Sequence, residues 1–364
     1  MVRMKIGLDW DDTFAPFNSI ACKLATEKYS IEPELTIDDI VSWENNGRAS
    51  VIKEFYKDEA LYTEQSKAVS EEAIAAVRKL MEMADVYFIT APYSEFMTMR
   101  AAQIKRAFPD FPERNIILGG AKDLVQFDMI LDDNIDNVLN SPAEYPVLMR
   151  KPWNQKMTGL LSVTSLQEFV LLVEHVQQIS ANKKLDITVP TVLALVGPSG
   201  SGKNEIADDL CDSFFWMRPK SYTTNPTASR VNHSYIPKEF FNGDDYIETT
   251  MYAGYAYGTR EEEIKRMLDN GFNVVIPLDI CGAIGMKKRF PTVIVYVDNA
   301  RETLVRNILN SDASEGEKVL RILSLEAEHK NAAICDIEVK NDGKAVEKIT
   351  KLFEEVDRVE NQVA

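Results

Sequence analysis

Four acidic side chains lie directly behind short apolar runs in the first half of the chain. Asp9 and Asp11 follow the run KIGL at 5–8, and Asp132 and Asp133 end the segment KDLVQFDMILDD. Ligands of open α/β sheets bind at the carboxyl ends of the strands, where such side chains would meet. An isolated D-x-D is usually a solvated acidic turn, but carboxylates gathered at one edge repel one another unless a cation is present. The pattern therefore indicates carboxylates that act together with a metal ion.

Two further residues complete a set that can transfer a phosphoryl group. Thr90 ends another apolar run, in VYFITAPYS, and Lys122 opens the segment that ends in the second acidic pair. In phosphoryl transfer through an aspartate, the carboxylate attacks phosphorus, magnesium offsets charge, and a lysine and a hydroxyl hold the transferring oxygens. We therefore expect a phosphatase site with Mg²⁺ as cofactor in this half.

The second half contains a glycine-rich phosphate loop. GPSGSGK at 197–203 satisfies G-x-x-x-x-G-K, comes after the apolar run TVLALV and precedes the helical pattern NEIADDLCDSFF. The backbone N–H groups of such a loop converge on phosphate oxygens, and its lysine reaches the β- and γ-phosphates. The pattern predicts ATP as phosphoryl donor, bound by Gly197, Ser199, Gly200, Ser201, Gly202, Lys203 and Asn204.

One position of this loop departs from the pattern. The lysine is normally followed by Ser or Thr, whose hydroxyl binds magnesium, and here Lys203 is followed by Asn204. An amide oxygen can still contact magnesium directly or through water, although as a weaker ligand. Asn204 therefore does not by itself exclude a working kinase.

Short apolar runs alternate with helical patterns in both halves, which indicates parallel sheets covered by helices. We expect an α/β fold of two domains, at 1–179 and 190–364, joined by a polar linker at 180–189. The first domain contains the helical patterns at 70–83 and 94–108. Strands are expected at 5–8, 86–90, 115–118, 128–131 and 146–149 in the first domain and at 191–196, 273–278, 292–297 and 334–339 in the second.

Composition and charge restrict the classes of partner. The chain has 364 residues, 27% of them charged, and a formal net charge of −16. Because an acidic surface repels DNA and RNA, polymeric nucleic acid is not expected as a partner, whereas one basic or metal-loaded pocket still accepts a small phosphorylated ligand. No apolar run is long enough to span a membrane, and the four scattered cysteines fit reduced thiols. These features predict a cytoplasmic enzyme, located in the host cytoplasm if a phage encodes it.

The first half resembles the haloacid dehalogenase (HAD) superfamily and, within it, the 5'(3')-deoxyribonucleotidases. The resemblance covers roughly residues 4–170 and implies a HAD-like Rossmannoid parallel sheet with a small helical cap at about 14–69. The motifs that carry it are D-x-D-x-T at 9–13, T-x-P at 90–92, the interval from Lys122 to Asp132, and RKPWN at 150–154.

The same resemblance implies a role for each site residue. Asp9 would be the nucleophile, Asp11 the general acid/base that protonates the leaving alkoxide, and Thr90 and Lys122 would bind phosphate. Residue 12 is Asp where the family more often has Gly, which adds charge near the site. The aromatic residues of the cap would either stack on a base or pack in the core of the cap: Phe17, Trp43, Phe55 and Tyr56. The magnesium ligands would be Asp9, the Asp11 carbonyl, and Asp132 or Asp133.

The second half resembles guanylate kinases, which are P-loop nucleoside monophosphate kinases, over roughly 190–355. SYTT, YIETTMYAGYAYGT, PLDICGA, RILSLEAE and VKND occur in the order of that family. The resemblance implies that Glu248 contacts the acceptor base, that Asp279 lies near the metal and the phosphates, and that Asn341 touches the donor adenine. Arg306 and Arg321 would offset charge on the transferring phosphoryl group. The acceptor's phosphate would be bound by Ser221, Tyr235, Tyr257 and Thr259.

Three departures from the guanylate kinase pattern affect the acceptor site and the lid. Asn225 stands where the family has its first phosphate-binding arginine, and Leu309 stands near the place of the second arginine of the lid. Cys281 replaces the second acid, which helps to read the N–H edge of guanine. The loss of a hydrogen-bond partner for a buried base edge costs about 1–3 kcal/mol. The pattern favours a changed substrate over an inactive enzyme.

The two halves together predict a bifunctional enzyme of the nucleotide pool, with nucleoside monophosphates and ATP as ligands. We expect the first domain to dephosphorylate one deoxynucleoside monophosphate and the second to phosphorylate another, for example a modified pyrimidine nucleotide such as 5-hydroxymethyl-dUMP in a phage-type strategy. Two alternatives stay open. They are polynucleotide 5'-kinase/3'-phosphatase end repair, which the negative charge opposes, and a nucleotidase joined to a non-catalytic guanylate-kinase-like binding module, which the intact Lys203 loop opposes.

Overall fold

The computed structural model describes residues 3–44, 47–157, 159–181, 187–212, 215–252 and 254–353. The chain divides into two compact units, residues 1–155 with 162–170 and residues 156–161 with 171–364. Of the linker predicted at 180–189, residues 182–186 lie outside the described residues, and the predicted domain boundaries stay a prediction. None of the described helices is both long and apolar enough to cross a bilayer.

The first unit contains a parallel sheet of short apolar strands. Its order is β3-β2-β1-β4-β5-β6, so that β1 and β4, which come before the two acidic pairs, are neighbours. Burial on both faces explains the continuous apolar runs by which β1, β4 and β5 were predicted. The strands are β1 (Lys5–Leu8), β2 (Asp85–Thr90), β3 (Ile116–Leu118), β4 (Met129–Asp132), β5 (Tyr145–Met149) and β6 (Ser162–Val163).

Helices alternate with these strands, as the sequence predicts. In α3, Ser70 accepts a hydrogen bond from the Ala73 backbone N–H at the N-terminus, and the side chains at the helical spacing of Ala73, Val77 and Leu80 are buried. The α-helices from Asn18 to Ala181 are α1 (Asn18–Tyr29), α2 (Glu59–Lys67), α3 (Glu71–Met83), α4 (Met97–Ala107), α5 (Ile135–Asn140) and α6 (Leu166–Ala181).

The predicted cap segment forms a small helical cluster. Helices α1 and α2 and the 3₁₀ turns Ile37–Asp39 and Arg48–Phe55 enclose an apolar core. Of the four aromatic residues singled out in the sequence, Phe17 and Phe55 are buried in this core and Tyr56 packs against it, whereas Trp43 is 57% exposed. Three of the four therefore have the packing role in the cap core. Trp43 is the most exposed of the four and is the one that remains accessible to a ligand.

The second unit has a parallel sheet of order β15-β14-β7-β13-β8 and a smaller mixed sheet of order β10-β9-β12-β11. The core of the parallel sheet is formed by valine and leucine side chains of its strands together with the apolar face of α7. The remaining strands are β7 (Val192–Val196), β8 (Trp216–Met217), β9 (Ser221–Thr223), β10 (His233–Tyr235), β11 (Glu248–Tyr252), β12 (Tyr255–Thr259), β13 (Asn273–Pro277), β14 (Thr292–Asp298) and β15 (Ile337–Lys340). The helices are α7 (Lys203–Cys211), α8 (Glu261–Asp269), α9 (Ile280–Arg289), α10 (Arg301–Leu309) and α11 (Glu315–Lys330).

Candidate active sites

The acidic residues of the first unit meet at the carboxyl edge of its sheet. Asp9 comes directly after β1, Thr90 ends β2 and Asp132 ends β4, and all three are buried. Because β1 pairs in parallel with both β2 and β4, these strand ends are adjacent. The sheet thus gathers side chains that are more than 120 positions apart in the chain, as the strand-end pattern predicts.

Lys122 links two of these carboxylates. Its ammonium nitrogen lies 2.7 Å from an Asp9 oxygen and 2.6 Å from an Asp132 oxygen. Asn137 donates to both oxygens of Asp132 at 3.1 Å, which fixes the orientation of that carboxylate. A buried lysine held between two carboxylates is a fixed positive charge, which suits an anionic phosphoryl group.

Burial and mutual repulsion shift the acid-base properties of this cluster. Burial, with repulsion from Asp132 and Asp11, raises the pKa of Asp9 to about 7, against the opposing effect of Lys122. Burial also raises the pKa of Asp133 well above its ordinary value, and Asp132 and Asp9 add to this. Although burial opposes it, the neighbouring carboxylates raise the pKa of Lys122. Full ionisation of Asp9 and Asp133 is therefore unfavourable with a single lysine as the counter-charge.

The residues present fit a magnesium ion. Ligand oxygens of Asp9, Asp132 and Asp133 all lie within 4.8 Å of one another. An all-oxygen, carboxylate-rich donor set is the one that Mg²⁺ prefers. A divalent cation would also offset the burial and the repulsion that raise the pKa of Asp9. The sequence left Asp132 and Asp133 as alternatives for the last ligand, and in the structure both are close enough to Asp9 to bind the same ion.

The Asp11 side chain points to a different partner, a buried arginine. Arg100 is fully buried and contacts the two Asp11 oxygens at 2.7 and 2.9 Å through both terminal nitrogens. The same guanidinium donates to the Thr90 hydroxyl, and its Nε donates to Gln103 at 2.8 Å. Gln65 donates to Asp11 at 2.7 Å. Arg100 and Gln65 thus hold the predicted acid/base and the predicted phosphate-binding hydroxyl in fixed positions.

Sequence reasoning missed Arg100, although a signal for it exists. In α4 the buried positions are Arg100, Gln103 and Ile104, which share one helical face at the i, i+3, i+4 spacing. A charged residue on the buried face of an amphipathic helix needs a partner of opposite charge. The helical pattern at 94–108 therefore contained the position, but nothing in it identified Asp11 as the partner.

Other residues of the motifs have supporting roles. Asp12 adopts a positive φ of 54°, the region that glycine favours, and its carboxylate accepts from the Phe17 and Asn18 backbone N–H groups at the start of α1. In RKPWN, the Trp153 indole donates to Asp133 at 3.0 Å. Asp12 therefore anchors the cap helix, and Trp153 orients a predicted metal ligand.

The phosphate loop of the second unit is built as its glycines require. Gly197 has a φ of 139°, and a Cβ at this position would lie 2.4 Å from the Val297 carbonyl oxygen, so that only glycine fits. Asn341 donates to the Ser201 carbonyl at 2.8 Å, and Asn307 of α10 donates to the Gly200 carbonyl at 2.8 Å. Asn341, predicted to touch adenine, is thus placed against the loop backbone. The other ATP-binding residues predicted, including Ser199 and Gly202, lie in this same loop before α7.

Lys203 begins α7, and its amine is held by the loop. The nitrogen lies 2.6 Å from the Gly197 carbonyl oxygen and 2.9 Å from that of Pro198. Burial lowers the pKa of Lys203 to about 8, against an opposing attraction from Glu328. Glu328 is buried, accepts from the Ser324 hydroxyl at 2.7 Å and from the Ser199 backbone N–H, and has a pKa raised by burial. No role was predicted for Glu328, although it ends the quoted motif RILSLEAE.

We expect ATP binding to take up protons near pH 8. The folded-state pKa of Lys203 is depressed to about 8, and the phosphates of bound ATP favour the charged amine. At pH 8 the uptake should approach about half a proton per site, falling toward zero near pH 6.5, where the amine is already charged. Titration calorimetry in buffers of different ionisation enthalpy measures this uptake. The control is Lys203→Arg, which stays charged; equal uptake by that variant would contradict the assignment to Lys203.

Asn204, next to this lysine, is bound to an arginine. Its side-chain oxygen accepts from Arg218 at 2.7 Å, and the same guanidinium lies 2.6 Å from Asp208. Because it accepts from a cationic guanidinium, the amide oxygen is not available to bind a metal ion as a serine or threonine hydroxyl would be. The phosphate loop thus retains its glycine backbone and Lys203, but residue 204 does not fit a magnesium ion.

The mixed sheet brings the predicted acceptor residues together. Glu248 and Thr259 are direct partners across β11 and β12, both are buried, and the Thr259 hydroxyl lacks a hydrogen-bond partner among the described residues. Asp279 accepts from the Gly282 N–H at 2.7 Å and from the Thr250 hydroxyl. A Cβ on Gly282 would lie within 3.3 Å of carboxylate oxygens of both Glu248 and Asp279, so that the two acids meet at the start of α9. Tyr235 is 48% exposed.

The altered positions have partners of their own. Asn225 donates to the Tyr257 hydroxyl at 3.2 Å, and the Ser221 hydroxyl lies 2.6 Å from His233 Nδ1. Burial lowers the pKa of His233, which favours the neutral ring. Arg306 is exposed on α10, and Arg321 lies on α11 near enough to Glu328 to affect its pKa. Arg321 is thus placed near Glu328, whose carboxylate accepts from the Ser199 N–H of the phosphate loop. Arg306 is the neighbour of Asn307, which donates to the Gly200 carbonyl of the same loop.

Comparisons with known proteins agree with the division into two halves. Residues 3–179 match the family model described as "5' nucleotidase, deoxy (Pyrimidine), cytosolic type C protein", and residues 189–356 match the guanylate kinase family model. Guanylate kinase of Clostridium tetani is 26% identical over 189 residues, covering 47% of this chain and 91% of the relative. That of Chlorobium luteolum is 29% identical over 145 residues, covering 37% and 74%. A crystal structure of guanylate kinase from Anaplasma phagocytophilum is 18% identical, covering 48% and 87%, with a TM-score of 0.36.

Proposed function

We propose that the chain, whose halves match the family models of a cytosolic type C 5'-nucleotidase and of guanylate kinase, removes phosphate from one deoxynucleoside monophosphate and adds phosphate to another. One observation carries the proposal: each unit has its own phosphate-handling centre. In the first, Lys122 bridges Asp9 and Asp132; in the second, a glycine loop encloses Lys203. The two reactions are independent in chemistry because one needs water as the final acceptor and the other needs ATP.

In the nucleotidase reaction, Asp9 is the nucleophile. A carboxylate oxygen of Asp9 bonds to phosphorus while the bond from phosphorus to the nucleoside oxygen breaks, and Asp11 gives its proton to that leaving oxygen. Water then attacks the aspartyl phosphate, Asp11 takes the proton of the water, and phosphate leaves with Asp9 restored. Lys122 and Thr90 hold the phosphoryl oxygens. A magnesium ion on Asp9, Asp132 and Asp133 would supply neutralisation of charge at the phosphate.

In the kinase reaction, the phosphate loop and Lys203 hold the β- and γ-phosphates of ATP. An oxygen of the acceptor's phosphate bonds to the γ-phosphorus, the bond to the β-phosphate oxygen breaks, and the products are ADP and a nucleoside diphosphate. Ser221, Tyr235, Tyr257 and Thr259 would hold the acceptor's phosphate, and Glu248 would face its base. The buried Thr259 hydroxyl supports a ligand at this place, since a buried hydroxyl normally has a partner.

The acceptor base is proposed to differ from guanine. Cys281 offers no carboxylate to a guanine N–H edge, and Asn225 is a neutral side chain bound to Tyr257 where an arginine would bind phosphate. A site built for a hydrogen bond strongly rejects an analogue without it, so that the change at Cys281 shifts preference between bases. A pyrimidine deoxynucleotide, either ordinary or modified as in 5-hydroxymethyl-dUMP, is the proposed acceptor. The joined nucleotidase would then remove a competing nucleotide.

The test is a product assay on a panel of ordinary and modified nucleoside monophosphates with magnesium, with and without ATP. We expect nucleosides from one set of substrates and diphosphates from a different set, with GMP a poor acceptor. Asp9→Asn should remove only the first activity and Lys203→Ala only the second. The same nucleotide preferred by both halves would contradict the proposed division of labour. Oligonucleotides with 5'-hydroxyl or 3'-phosphate ends test the end-repair alternative in the same assay.

A further inference from the structure

Arg218 is held at the phosphate loop by two residues of one helical face. Asn204 and Asp208 are four positions apart on α7, so their side chains lie above one another on the same face. Arg218 Nη2 donates to the Asn204 oxygen at 2.7 Å, and Nη1 lies 2.6 Å from an Asp208 oxygen. The Arg218 side chain is 11% exposed although that of Asp208 is 58% exposed. The guanidinium is therefore enclosed and oriented.

The backbone that carries Arg218 is also fixed. Arg218 follows β8, which pairs with β13 of the parallel sheet, and Trp216 of β8 is buried in the core of that sheet. An arginine anchored at both its backbone and its fork loses little further freedom when it binds an anion. In a flexible surface ion pair, both side chains lose conformational entropy when the pair forms. The Arg218 side chain is already ordered, so this cost does not arise when it binds an anion.

This guanidinium contacts the side chain of the residue that carries a metal-ligating hydroxyl in other phosphate loops. Residue 204 follows Lys203 directly in the first turn of α7, where helix N–H groups and the lysine meet phosphate oxygens. A divalent cation bound to the Asn204 oxygen would lie against the Arg218 charge and be repelled by it. A phosphate oxygen at the same place would instead receive charge-assisted hydrogen bonds.

We propose that Arg218, oriented by Asn204 and Asp208, binds the phosphates of the nucleoside triphosphate donor in place of a loop-bound magnesium ligand. The inference rests on the proposed kinase function. It explains why the position after Lys203 is an amide: Asn offers an acceptor long enough to reach the arginine. Asn204, which departs from the pattern of phosphate loops, is one half of a compensated pair with Arg218.

The test is ATP affinity measured by titration calorimetry in EDTA and in magnesium, which needs no turnover. The wild-type chain should bind ATP in EDTA, and Arg218→Met should weaken that binding by about tenfold or more, as expected for a lost charge-assisted bond to phosphate. Arg218→Lys, which keeps the charge without the fork, should lie between the two. The matched control is Arg289→Met, an exposed arginine at the end of α9.

A second variant restores the usual arrangement. Asn204→Thr combined with Arg218→Met should regain affinity only with magnesium, so that the ratio of affinities with and without the metal rises by about tenfold over wild type. Thermal unfolding of each variant checks that the chain still folds. Arg218→Met within twofold of Arg289→Met in EDTA would overturn the inference while leaving the kinase function standing. Wild-type protein that binds no ATP under either condition would overturn the kinase function itself.

Discussion

Asp9→Asn should reduce phosphate release by at least about 10⁴-fold, because it removes the attacking oxygen rather than an accessory group. The asparagine amide is nearly isosteric, so the packing around Leu8 and β4 should persist. It is also a poor ligand beside two carboxylates, and magnesium affinity of the first unit should fall as well. Phosphate release at saturating deoxynucleoside monophosphate and metal titration by calorimetry measure the two effects.

Two controls make the result specific for Asp9. Asp110→Asn changes an exposed aspartate of the same unit and should leave phosphate release within twofold of wild type. ADP formation by the second unit should be unchanged in both variants, because its phosphate loop has its own lysine. If Asp9→Asn retained a tenth of wild-type phosphate release, Asp9 would not be the nucleophile, and Asp11 or an activated water would have to take that role.

Arg100→Met should lower kcat of the nucleotidase by about 10²–10³-fold with a smaller change in KM. The methionine fills a similar volume but lacks the guanidinium that holds Asp11 and Thr90 in place. Displacement of a catalytic acid or a phosphate-binding group lowers the rate by about this factor. The unfolding free energy should fall by about 3 kcal/mol, the lower end for breaking a buried pair, because Asp11 stays partly exposed. Steady-state kinetics and urea denaturation measure the two changes.

A positioning role is distinguished from a purely structural one by the kinetic split and by a conservative variant. Arg100→Lys keeps the charge but cannot contact both Asp11 oxygens and Thr90 together, so its kcat should lie between those of wild type and Arg100→Met. The matched control is Arg106→Met, which changes an exposed arginine six positions further along α4 and should alter neither kcat nor stability appreciably. If Arg100→Met lost stability but kept kcat within threefold, Arg100 would only support the fold.

The sequence alone determined the class of the fold and predicted the residues at the centres of both candidate sites. Strands such as β1, β4 and β7 were predictable because a strand buried on both faces needs a continuous apolar run. Asp9, Asp132 and Lys203 were predictable because parallel sheets present their ligands at strand ends and phosphate loops require glycines at fixed spacing. Each of these constraints acts on residues that are close together in the chain, so that a short stretch of sequence is enough to recognise it.

Only the tertiary structure decided which distant side chains complete those centres. Arg100 meets Asp11 across 89 positions of chain, and Arg218 meets Asn204 across 14. No periodicity specifies such a partner, because the contact depends on how α4 and β8 pack, and packing is a property of the folded chain. Asn204 is an example: in the sequence it is a departure from the phosphate-loop pattern, and only the folded structure shows that it is hydrogen-bonded to Arg218.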